Sequence, residues 1–158
     1  MRRIFDGRYT AEAEGPFVVF LIGMRVNRLL AVRRWLPTAS AMGPMLKELY
    51  SVPERGFLGA ETFLYWRGIA LVQYWRSFDD LESFARDREA PHLPAWRRFN
   101  RSVGSDGSVG IWHETYRVES GGHETIYANM PAWGLAKATA HAPITGRRES
   151  ARRRMQTG

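Results

Sequence analysis

The sequence contains no cysteine, which removes disulfides, thiolate nucleophiles and cysteine-based zinc sites. Lysine is almost missing too, at positions 47 and 137 only, so arginine carries the positive charge. No apolar stretch approaches the ~20 residues that a membrane-spanning helix needs; the longest runs from Phe17 to Met24. The opening MRRIFDGRYTAEAEGP lacks the apolar centre of a secretory signal. A cytoplasmic protein with no membrane span is the expectation. Neither a GxGxxG turn, a Walker A loop nor a GxSxG elbow is present, which argues against phosphate-cradling and serine-hydrolase chemistry. His92, His113, His123 and His141 show no HxH or HxxxH spacing, and no carboxylate completes a ligand set, so no metal is expected.

The formal charge is +7, but Arg147, Arg148, Arg152, Arg153 and Arg154 against Glu149 supply +4 of it from the last twelve positions. A basic tail on a nearly balanced body is a weak signal for nucleic acid, and no such partner is expected. What the chain does have is apolar and aromatic mass: 44% hydrophobic and 13% aromatic residues among 158. That suits one core in one domain. The expected division is a domain over 1–135 and a basic, flexible extension over 136–158.

Residues 1–15 read as an arm or loop. FVVFLIGMR (17–25) is apolar at both alternating sets of positions, as in a central strand covered on both faces. From Arg33 to Ser51, Trp35, Ala39, Met42, Met45, Leu46 and Leu49 recur at helical spacing, with Gly43-Pro44 predicting a kink. Residues 57–66 and 69–76 flank Arg67-Gly68 and predict a β-hairpin, with the glycine available for positive φ. Ser77 predicts a helix cap, with Leu81, Phe84 and Ala85 following. Pro91 predicts a further helical start, with His92, Trp96, Phe99 and Val103 along one side. Residues 109–118 predict a strand, and 125–129 another. The order matches a βαββαβ plan, an α+β ferredoxin-like sheet with helices on one face.

Adjacent strand positions point to opposite faces, so His113 and Glu114 cannot form a direct acid–base pair. His92, facing an apolar helix side, is a candidate general base or axial haem ligand; His113 and Glu114 complete the catalytic candidates. Trp66, Tyr74, Trp96, Tyr127 and Asn129 are candidates to line a substrate pocket, with polar groups on or among apolar bodies.

Four blocks carry a family resemblance: FLIGMRVNRLLAVRRWLP, VQYWRSFDDLESFARDREAPHLPAWRRFN, VGIWHETYRV and ETIYANMPAWGL. Together they resemble the monooxygenase-like family typified by the fumagillin-pathway ABM-type oxygenase, over about residues 5–135. The resemblance implies ferredoxin-like subunits paired in a dimeric α/β barrel. It also implies oxygenation of an organic, natural-product-type substrate of secondary metabolism, without flavin, haem or metal. His92 or His113 would be the base, and Tyr127, Asn129 or Trp66 would orient the substrate. The stretch from Trp75 to His92 is also similar to haem-degrading monooxygenases, although Val18, Phe20 and Ile22 stand where those enzymes carry an asparagine. Haem, held by His92 or His113, is therefore the alternative cofactor, as in an oxygenase or an aldoxime-dehydratase-like enzyme. A non-enzymatic ligand-binding protein of the same fold is the third reading.

Overall fold

The computed structural model describes residues 3–87, 103 and 106–155. Its elements are β1 (Phe5–Glu12), β2 (Phe17–Val26), α1 (Val32–Ser51), β3 (Phe57–Tyr65), β4 (Gly68–Trp75) and α2 (Phe78–Arg86). They continue as β5 (Val109–Val118), β6 (Tyr127–Met130), α3 (Leu135–Ala138), β7 (Ala140–Pro143) and α4 (Ala151–Met155). Strands β2 to β5 form one sheet in the order β3-β4-β2-β5, every neighbouring pair antiparallel. With α1 and α2 this is the expected α+β, ferredoxin-like βαββαβ arrangement. No helix among the described residues is long and apolar enough to cross a membrane.

Period-two alternation sets the two faces of the sheet. Val18 packs with Leu49, Phe57, Trp75, Leu81 and Phe84 on the helix side. Farther along, Met24, Val26 and Val109 meet Trp35, Ala39 and Met42. The predicted stripe of α1 therefore faces the sheet as its spacing requires. The expected kink at Gly43-Pro44 does not divide the helix, which runs through both Pro37 and Pro44. Each proline sacrifices one backbone hydrogen bond, and the apolar contacts on either side hold the axis together.

The hairpin turn also differs from expectation. Its two connecting residues are Trp66 and Arg67, and Arg67 itself takes the positive φ of 64°. Gly68 is needed for space: a Cβ there would stand 2.3 Å from the Met24 carbonyl oxygen and from the Tyr65 ring. Ser77 caps α2 as predicted, its Oγ accepting from the Asp80 N–H at 3.0 Å.

The largest departure is a second sheet, β6-β1-β7, made from both ends of the described chain. The stretch expected to be a loose arm supplies its central strand. Residues 140–143, within the expected extension, pair with β1 through Tyr9↔Pro143 and Ala11↔His141. This layer packs on the other face of the main sheet, where Ala11, Ala13, Leu135 and Ala136 bury Phe17 against Val19, Tyr74 and Val118. Arg154 anchors the last helix by donating from Nε to the Glu124 carboxylate at 2.6 Å.

Two histidines belong to this layer. His141 stacks on Tyr9 with ring centres 4.4 Å apart and meets Phe5 edge-on, and among the described residues neither of its buried ring nitrogens has a hydrogen-bond partner. His123 lies edge-on to Phe17 with its Nδ1 likewise unpartnered. Burial holds both imidazoles below their ordinary value near 6.5. The unfolded chain therefore takes up protons first as pH falls, and stability declines from about pH 6.5 downward. Thermal midpoints followed by near-ultraviolet circular dichroism should be level above that pH and drop below it. His141→Phe should flatten the drop; an equal drop in that variant would place the acid sensitivity elsewhere.

Candidate functional site: a chamber between the sheet and its helices

Between the helix-facing side of the sheet and the two main helices lies a chamber of about 260 Å³. This is just below the usual range for small-molecule pockets, roughly 300–1,000 Å³. Its floor is Phe20 and Ile22 of β2, flanked by Gln73 and Trp75 of β4 and by His113 and Thr115 of β5. Met45 and Leu49 come from α1, while Phe78, Leu81 and Phe84 come from or border α2. A larger groove outside α2 is lined mainly by groups that pair with one another, such as Arg55 with Asp87 at 3.0 Å and Arg86 with Glu82 at 2.9 Å. The apolar lining, with a few polar groups set into it, distinguishes the inner chamber as the candidate site.

His113 reaches the chamber because it sits in register with Ile22 on the edge strand β5. Its ring centre is 5.7 Å from that of Phe20. The residue is exposed, placing it at the rim, and among the described residues its imidazole has no hydrogen-bond partner. Glu114 points the opposite way, as the alternation requires, and its carboxylate accepts from the Tyr116 hydroxyl at 2.6 Å. That bond pushes the Tyr116 hydroxyl above its ordinary value.

The other expected site residues are not gathered around the chamber. Trp66 stands in the hairpin turn, 82% exposed. Tyr74 and Tyr127 lie together on the opposite face, beneath the turn at Gly134. Burial pushes the Tyr74 hydroxyl up to about 12, with Tyr127 and Glu61 adding to the effect. Burial raises Tyr127 as well, so both phenols stay protonated. Glu61, 6% exposed, secures this corner by accepting from Lys137 Nζ at 3.1 Å and from the Gly134 N–H at 3.2 Å. Asn129 is exposed on β6 with φ 54°, and its Oδ1 accepts from the Gly7 N–H at 2.9 Å. His92 and Trp96 lie outside the described residues.

Sequence reasoning overlooked Gln73. The available signal was its place between Leu71 and Trp75 at alternate positions of an otherwise apolar, inward-facing row. Among the described residues no three histidine or carboxylate side chains gather to hold a metal ion. For haem, the described part of the chamber offers one imidazole, His113.

Comparison with known proteins bears on this architecture directly. The family model described as Monooxygenase af470-like matches residues 17–135, which takes in the whole βαββαβ unit and the chamber. The chain belongs to this family. Monooxygenase af470 of Aspergillus fumigatus is 28% identical over 142 residues, covering 78% of this chain and 47% of that protein. The chain thus spans about half the length of the curated relative it matches. An aldoxime dehydratase solved in complex with butyraldoxime superposes with a TM-score of 0.63 at 15% identity, over 88% of this chain and 42% of that one. This is a likeness of fold. SnoaB, a cofactor-independent oxygenase from Streptomyces nogalater, gives a TM-score of 0.46 at 13% identity, over 63% of this chain and 90% of that one.

Proposed function

We propose that this member of the monooxygenase family oxidises a small, largely apolar organic substrate of natural-product type in the chamber, without flavin, haem or metal. The supporting observation is an aromatic-walled cavity with the imidazole of His113 at its rim, unengaged by the described protein groups. An unengaged imidazole can accept a proton from a bound carbon or phenol acid. The substrate anion so formed passes one electron to dioxygen, and the two radicals recombine at carbon. At an activated methylene the net change is CH2 + O2 → C=O + H2O, with no external reductant. The protein's share is to hold the substrate, remove the proton and stabilise the anion in a poorly solvated site.

Two copies associate in this reading through the part of the opposite sheet face that the second sheet leaves open. Phe63, Trp112 and Tyr116 remain exposed there, and the Trp112 ring lies so close over Gly23 that a Cβ at 23 would fall 2.7 Å from it. The partners are thus a small organic substrate and a second copy of the chain, in the cytoplasm.

The test is oxygen uptake by chelator-treated protein offered a panel of bicyclic and tricyclic phenols and ketones. Uptake with product formation is expected, together with no Soret band and a light-scattering mass of twice the chain. A stoichiometric Soret band, or activity lost on chelation, would overturn the cofactor-free reading. Tight ligand binding without oxygen uptake would instead indicate a binding protein on the same fold.

A further inference from the structure

Gln73 is only 5% exposed and lines both the chamber and a narrow void beside it. Its Oε1 accepts a hydrogen bond from Trp75 Nε1 at 3.0 Å. An indole N–H can donate but not accept, so this contact fixes which end of the carboxamide faces the tryptophan. The NH2 end must take the other side. Among the described residues it meets no acceptor. Glu82, the carboxylate that borders the chamber, is already drawn to Arg86 at 2.9 Å, and Ile22, Met45, Leu49 and Leu71 around Gln73 offer hydrocarbon. The NH2 group is thus a donor set into an apolar cavity wall with no protein acceptor among the described residues, open to one that a ligand brings.

We propose that Gln73 determines which substrates the chamber accepts, by donating from its NH2 group to a carbonyl or phenolate oxygen of an aryl ketone or phenol. The inference rests on the reading of the chamber as the substrate site, and it adds the substrate class. The register supports it. Gln73 on β4 and Thr115 on β5 both flank Phe20, and His113 flanks Ile22 one step along. Neighbouring strands lie about 4.8 Å apart and two residues along a strand span about 6.8 Å, so Gln73 and His113 stand diagonally across roughly 12 Å of apolar floor. A fused-ring ligand lying over Phe20 with its oxygen on Gln73 presents its far edge to His113. When His113 takes a proton from a position conjugated with that oxygen, negative charge develops on the oxygen, where the donor already stands. A ligand offering only donors, or only hydrocarbon, leaves the NH2 group unpaired and is disfavoured.

The probes are 1-tetralone and tetralin, matched in shape and differing in the carbonyl, with binding measured by calorimetry. The native chain should bind tetralone about tenfold more tightly, the worth of one well-made hydrogen bond. Gln73→Met should bring the two within about twofold of each other by weakening tetralone alone. Because that change strands the Trp75 N–H, the double variant Gln73→Met/Trp75→Phe, which removes both partners, should repeat the result in a stable fold. Equal binding of the two probes by the native chain, or a tetralone advantage that survives in both variants, would overturn the role of Gln73 and leave the chamber reading standing. Binding of neither probe would overturn the chamber reading and this inference with it.

Discussion

His113→Ala should cut turnover by about 10²- to 10⁴-fold, the usual contribution of a positioned general base, while substrate affinity changes only a few-fold. The reason lies in where the side chain stands. It is exposed at the chamber rim on an edge strand, and among the described residues its ring contact is with Phe20 at 5.7 Å. Truncation therefore removes a proton acceptor without opening a core cavity, and stability should stay within about 0.5 kcal/mol. The pH–rate profile separates this role from a merely structural one. The profiles of the native chain and the variant should differ in shape, whereas a structural loss would scale the whole curve down. Unchanged turnover would remove His113 as the base and leave His92 to be tested next.

Trp75→Ala should destabilise the fold by about 4 kcal/mol, as full truncation of a buried aromatic does. Trp75 is 0% exposed and sits where three supports of the core meet. Its ring centre is 5.4 Å from Phe57 on β3 and 5.4 Å from Phe84 on α2, and its indole N–H is spent on Gln73. The alanine variant leaves a large void between sheet and helices and sets the Gln73 carboxamide free to turn. Trp75→Phe keeps most of the packing and should cost about 1–2 kcal/mol, chiefly the lost hydrogen bond. Denaturant titrations give both numbers. A loss below about 1 kcal/mol for the alanine variant would mean that the wall of the chamber is not built on this residue.

The ferredoxin-like unit was legible because its signals are local. The apolar run of β2, the i, i+3, i+4 stripe of α1 and the Ser77 cap each lie within a few residues of chain. The second sheet was not legible, for a physical reason. FDGRYTAE carries as many polar as apolar positions, and its strand character depends on partners such as Met130 and Ala142 that no local pattern names. The same limit shaped the candidate site. Alternation tells which residues of a strand share a face, and so it separated His113 from Glu114. It does not tell which face will carry a chamber, and so Tyr74 and Tyr127 were grouped with a pocket that the fold builds on the other side. Gln73 was passed over because a single amide in an apolar row carries little weight until its tryptophan partner fixes its direction.

The second sheet has a consequence for how the molecule comes into being. Thr10 on the β1 strand bonds to the Thr125 carbonyl, 115 residues later. At translation rates of about 5–20 residues per second, β1 emerges from the ribosome on the order of ten seconds before its partners exist. During that interval its mixed, charge-dotted composition keeps a naked strand from recruiting a neighbour's edge. Pairing of β1 with β6 and β7 thus has to wait until every strand of the main sheet has been synthesised.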